Sequence, residues 1–158
     1  MVQKEYLKNE KPYLELPYYQ SINFFIAPKP ILAMILMTLN DHWLKYEFPS
    51  FLTGKLSDFL GLYFTPLFLL AIFITGARFC KIKITQTIFQ RWALFFIILC
   101  DVIFILIKIS PKSAEIYLQV IDVFFTNGAV IQDPWDLLAL LISPLSFRQA
   151  LVGVDNHR

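Results

Sequence analysis

Charge is scarce in this 158-residue chain: Asp, Glu, Lys and Arg together make up 16% of it, where a soluble domain carries about 25%. Cysteine and glycine are sparser still, at 2 and 5 residues. The two cysteines, Cys80 in a basic loop and Cys100 in an apolar run, make neither a CxxC pair nor a metal-ligand spacing, so no disulfide or metal site is expected of them. No GxSxG, HExxH, Walker loop or spaced Ser/Lys dyad occurs, which argues against an enzyme and implies no cofactor. What is present is apolar bulk: 57% of the residues are hydrophobic and sixteen are Phe. So few charges cannot cover a soluble core of that composition. A disordered chain and most soluble enzymes are thereby excluded. The balance of 14 basic to 12 acidic residues is too even for a nucleic-acid partner.

The apolar runs predict an all-α, polytopic membrane protein. Four transmembrane helices are expected, over residues 30–46, 58–77, 92–109 and 134–151. A spanning helix takes roughly 17–25 residues. The middle two runs meet that alone, whereas the outer two carry charges (Asp41, His42, Arg148) that need a bundle around them. The expected organisation is an N-terminal segment 1–29 along the cytoplasmic interface and a transmembrane domain 30–151. Within that domain come hairpin 30–77, a basic loop 78–91 and hairpin 92–151, followed by a tail, 152–158. Residues 113–125 have helical apolar spacing but are too short to span, and read as a short interfacial helix. Arg78, Lys81, Lys83 and Arg91 crowd the 78–91 loop without an acid, which by the positive-inside rule puts that loop and both termini in the cytoplasm. Trp43, Trp92 and Trp135 fall at the predicted helix ends, as an aromatic belt would place them.

Residues 58–67 (DFLGLYFTPL) align without gaps on 136–145 (DLLALLISPL). Asp and Pro recur eight residues apart, and WLKY (43–46) resembles LIKI (106–109). The two hairpins therefore read as related copies, each ending its first helix with Lys and opening its second with Asp. Such a duplication would set Lys45 opposite Lys108 and Asp58 opposite Asp136. A capped helix start accounts for part of the likeness, since Asp133 suits an N-cap and Pro134 a first turn. Pro66 and Pro144 are each expected to free the carbonyl four residues back, on Leu62 and Leu140.

The charges inside apolar runs need an explanation. Thr53 or Ser57 would cap the second helix, and Asp41 with Lys45 has the i,i+4 spacing of an intrahelical pair. The outward ends of the four helices would then gather Asn40, Asp41, His42, Lys45, Lys55, Asp58, Lys108, Lys112, Asp133 and Asp136. In a low dielectric these pair with one another or line a wet vestibule. Asp101 sits alone in the middle of the third span, with Thr38, Asn40 or His42 as expected partners. A lone intramembrane carboxylate reads as a proton or cation site or as hydrogen-bonded glue.

The strings LNDHWLK, FPSFLTGKLSDFLGL and DPWDLLAL, over about residues 38–67 and 130–146, resemble a pattern of small, uncharacterised bacterial integral membrane proteins. The resemblance implies a bacterial inner-membrane setting and brings no catalytic role. The function expected is binding or passage of a small ion or polar solute, with Asp101, Asp58 and Asp136 facing the ion and Lys45 and Lys108 as gating partners. An accessory or assembly subunit of a larger membrane complex is the alternative, and a membrane-perturbing effector a third. The expected partners are the lipid bilayer and a second copy or another membrane protein.

Overall fold

In the computed structural model, residues 18–121 and 133–155 are described, and among them all regular structure is helical. The chain runs through α1 (Tyr18–Ile26), α2 (Pro28–Leu39), a π-helical turn (Asn40–Leu44) closed by a short α-turn (Lys45–Glu47), α3 (Phe51–Phe79), α4 (Gln86–Ile109) and α5 (Pro111–Ile121). A 3-10 helix (Pro134–Ile142) then leads into α6 (Ser143–Asp155). Three helical stretches are long and apolar enough to cross a membrane: Phe51–Phe79, Gln86–Ile109 and Pro134–Val152. At a rise of 1.5 Å per residue the first is about 43 Å long.

Each start has a local cause. Ser50, in extended backbone, opens α3: its hydroxyl accepts from the Thr53 N–H at 3.2 Å, while the Ser50 N–H donates back to Thr53 Oγ1 at 3.0 Å. This reciprocal capping box corrects the expected cap at Thr53 or Ser57. It moves the helix start upstream, so that Lys55 and Asp58 both lie within its opening turns. Thr85 caps α4 by accepting from Ile88 N–H. Asp133 does cap the 3-10 helix, accepting from Trp135 N–H at 2.9 Å, with Pro134 in the first turn.

The stretch 30–46 is not one regular helix. Pro28 and Pro30 start α2, and the π turn interrupts it at Asn40. Upstream, α1 contributes Phe24, fully buried, to a core with Leu67, Leu70, Ile74, Phe89 and Ala93. The packed unit therefore begins before residue 30. Phe25 of the same helix meets Phe64 and Phe68, and Phe24 meets Phe89 edge-on. Trp92 lies tilted against Phe73, ring centres 4.1 Å apart, and packs against the core. Trp43 and Trp135 are exposed. The helix expected over 113–125 starts two residues earlier, at Pro111, and its last four residues lie outside the described ones. Cys80 and Cys100 are free.

The two prolines differ in effect. Pro66 lies inside α3, and the carbonyls of Leu62 and Tyr63 accept from the Ser146 hydroxyl at 3.3 and 3.2 Å. Pro144 sits in the first turn of α6, where a proline costs nothing, and the Leu140 carbonyl accepts from Ser143 N–H. Pro144 thus ends a 3-10 segment and kinks no helix. The buried Gln149 amide in turn donates to the Phe24 carbonyl at 2.9 Å, tying α6 to α1.

Phe24→Ala should lower the stability of the purified protein by about 3–5 kcal/mol, measured by thermal unfolding in detergent. A silent substitution would mean that α1 lies outside the core.

Candidate functional site

The charges converge where the start of α3, the end of α4 and the start of the 3-10 helix meet. Lys55 of α3 is buried and donates to Asp133 at 2.7 Å and also to Asp136. Lys108, near the end of α4, reaches Asp136 at 2.6 Å and Asp58 at 3.0 Å. Three carboxylates thus meet two ammoniums, and Asp136 is shared between both. Phe51 and Phe104 wall the cluster: Lys55 Nζ lies 4.9 Å from the first ring centre and Lys108 Nζ 5.4 Å from the second. Taking these groups out of water is costly, and mutual attraction at hydrogen-bond distance offsets that cost. Asp133 stands at the rim. The Lys55 ammonium, with the Trp135 N–H, holds its carboxyl below the usual carboxylate range.

A second polar set hangs from the π turn. Asn40 is fully buried, and its amide N–H groups donate to the Thr53 carbonyl and to Ser57 Oγ, both at 2.8 Å. The Ser57 hydroxyl in turn donates to Asp41 Oδ1 at 2.5 Å, and Lys45 donates to the same oxygen at 2.6 Å. The π turn explains how this is possible: an inserted residue breaks the 3.6 period and turns Asn40 onto α3 while Asp41 and Lys45 stay near the surface. One group is left over. Asn40 Oδ1 is buried with no hydrogen-bond partner among the described residues.

Nine of the eleven side chains singled out from the sequence therefore gather at one end of the molecule: Asn40, Asp41, His42, Lys45, Lys55, Asp58, Lys108, Asp133 and Asp136. His42 is there by position only, since it is exposed. Lys112 is exposed on α5, three residues past the end of α4. The facing of Lys45 with Lys108 resolves into separate partners, Asp41 for the first and Asp58 with Asp136 for the second. Asp101 does not join them. It lies seven residues before Lys108, about 10 Å along α4, and accepts from Ser143 Oγ at 2.7 Å. This replaces the expected Thr38, Asn40 or His42, because α6 and not α2 packs on that face of α4. Sequence reasoning gave Ser57 only a capping role and passed over Ser143, Ser146 and Gln149, each a polar residue in an apolar run. In such a run an unpaired hydroxyl or amide is costly, which is the signal that marks them.

No protein-family model, curated protein or solved structure matches this chain.

Lys108→Met should cost about 3–5 kcal/mol, because it strands Asp58 and Asp136 without their shared cation; chemical unfolding in detergent micelles measures it. The rim pair gives a pH dependence. Asp133 binds its proton less readily folded than unfolded, so its contribution is complete above the ordinary Asp value of about 3.9. It is lost as pH falls through the lower folded value. Asp133→Asn should flatten that acid limb of a stability–pH profile while leaving the slope above pH 6 unchanged.

Proposed function

We propose that this chain is a small multi-pass membrane protein that binds, or passes, a small cation or polar solute at its charged, outward-facing end. Four crossings are read: the three long helices, and the run α1–α2 with its π turn as the fourth. Antiparallel packing supports the fourth, since Phe25 lies against Phe64 and Phe68 while Asn40 reaches Thr53 and Ser57. The basic turn between α3 and α4, with Arg78, Lys81 and Lys83, supports an orientation with that end in the cytoplasm. The likeness of 38–67 and 130–146 to small bacterial membrane proteins supports an inner-membrane setting. It singles out the same charged end, and the two related hairpins remain part of this reading.

The observation that carries the proposal is the unpartnered Asn40 oxygen. A buried acceptor with no donor costs free energy unless something fills it, and a cation or a solute N–H or O–H would. Around it the chemistry favours positive charge. Acids outnumber ammoniums in the neighbouring cluster, and the Asp58 and Asp133 side chains keep 23% and 35% of their surface exposed. Asp58 directly follows Ser57, the residue to which Asn40 donates. Asp58, Asp136 and Asp133 then set the negative field, Lys55 and Lys108 hold them apart, and Asn40 with Asp41 and Lys45 forms the inner wall.

A second reading has its own observation. The carboxylates of the cluster are bonded to lysines, as in a structural clasp of a non-catalytic accessory subunit.

Equilibrium binding of sodium and potassium to the purified protein, with flux in liposomes, separates the two. Asn40→Leu should lower binding or flux at least tenfold and Asp58→Asn should reduce it, with helical content unchanged. Binding and flux that survive both substitutions would overturn the ion reading. A wild-type protein without either, but recovered with a fixed membrane partner, would favour the clasp.

A further inference from the structure

One carboxyl group takes no part in the charged end. Asp101 lies inside α4, a helix long and apolar enough to cross a membrane, and by helical rise about 12 Å from its nearer terminus, Ile109. Its neighbours on the helix surface, at i−4, i−3, i+3 and i+4, are Ile97, Ile98, Phe104 and Ile105, all apolar. Aspartate has a single methylene between backbone and carboxyl. It therefore cannot reach water past the helix end as a long lysine or arginine side chain does.

The other titratable groups on the packed elements are committed elsewhere. Lys108, two turns on along α4, is held by Asp58 of α3 and Asp136 of the 3-10 helix. Cys100 is a buried thiol packed with Leu62 and Ala139, and Tyr63 of α3 packs against the Phe24 core. On α6, Arg148 is exposed whereas Ser143 is buried, so the two leave different faces. On α5, Tyr117 stands near Asp58 and Lys108, and Lys112 and Glu115 are exposed.

Among the described residues, one polar group meets the carboxyl: the Ser143 hydroxyl, which donates to Oδ1 at 2.7 Å. An ionised carboxylate has about four acceptor positions, and one hydrogen bond offsets only part of the cost of an ion at that depth. The charge has to be met by a cation or removed by a proton. A metal ion takes several oxygens, about six to eight for calcium, and no group of three or more His, Cys, Asp or Glu gathers among the described residues. A proton needs one oxygen. Once it is bound, the acid O–H is a donor and the Ser143 oxygen an acceptor, so the same two side chains satisfy both states.

We propose that Asp101 and Ser143 form a proton-binding site within the span, separate from the charged end. Asp101 takes up and releases one proton; the Ser143 hydroxyl donates to the ionised form and accepts from the neutral one.

Infrared spectra of the full-length protein in vesicles of diether phosphatidylcholine, a lipid without carbonyl groups, test this through the carbonyl stretch of neutral carboxylic acids. Carboxyl groups in water, with ordinary values of about 4, are ionised above about pH 6. The wild type should retain a neutral-acid band there and lose it as pH rises further. Asp101→Asn should remove that band, Asp101→Glu should keep one at a shifted frequency, and Asp133→Asn should leave it as it is. Ser143→Ala removes the donor to the ionised form, so the pH at half-loss should rise by about one unit, a tenfold gain in proton affinity. The amide bands of the same spectra report that each variant keeps its helices, and none of these readouts depends on ion binding at the charged end. A wild type without a band assignable to Asp101 above about pH 6 would overturn the proposal. So would a band that persists unchanged to about pH 10, which would make Asp101 a fixed hydrogen-bonded acid, or a Ser143→Ala midpoint at or below that of the wild type.

Discussion

A charge inside an apolar bundle must find its opposite within the protein, and the shared Asp136 is where this molecule meets that requirement. Lys55 comes to it from α3 and Lys108 from α4, so one carboxylate joins three elements far apart in the chain. Buried ion pairs add little net stability, because desolvation cancels much of their attraction. Their effect is on register. Helices with apolar surfaces all round can slide or rotate against each other at small cost, whereas two ammoniums and three acids pair well in one arrangement only. The aromatic packing, Phe24 with Phe89 and Phe73 with Trp92, holds the far end of the same helices.

The same requirement governs the backbone. Pro66 removes a donor inside α3, and the Ser146 hydroxyl from α6 supplies one to the carbonyls of Leu62 and Tyr63. Gln149 does the same for Phe24. Irregular backbone at depth is tolerated where protein groups cover it. Here each irregularity is also a cross-link between elements: the π turn delivers Asn40 to Thr53 and Ser57, and the 3-10 helix delivers Asp136 to the lysines. A nine-residue 3-10 helix is long for its kind. Its anchor at Asp133 and Asp136 on one side and Pro144 on the other leaves it little freedom to relax into an α-helix.

Much of this was legible because composition is a blunt but strong signal. Apolar length alone marked α3 and α4, while the run 134–151 read as a span only within a bundle; the rarity of charge made each charged position conspicuous, so Lys55, Asp58, Lys108, Asp133 and Asp136 could be picked out and assigned to one end. The pair Asp41–Lys45 followed from spacing alone. Partners were harder. Which acid meets Lys108 depends on how α4 is rotated against the 3-10 helix, and no local pattern encodes a rotation. The π turn was invisible for a related reason: NDHWL has no composition that distinguishes it from an α-helical turn, and the inserted residue is held by the tertiary contacts of Asn40. Asp101 was read correctly as isolated from the other charges but given the wrong neighbours, because its partner comes from α6 across a packing face that the hairpin picture assigned elsewhere. The cap of α3 was missed by three residues, since Ser50 lies in an apolar-flanked FPSF stretch that resembles a loop.

Two polar levels are served by the stretch that leads into α6. It closes on Lys55 and Lys108 with Asp136 and meets Asp101 with Ser143. The first α-helical turns after Pro144 then turn Ser146 inward and Arg148 outward. At the end of the bundle, acids and ammoniums from three elements can reach one another within a single chain. Seven residues along α4 the remaining carboxylate, Asp101, meets a hydroxyl instead, and Ser143 supplies it from the point where the 3-10 helix gives way to α6.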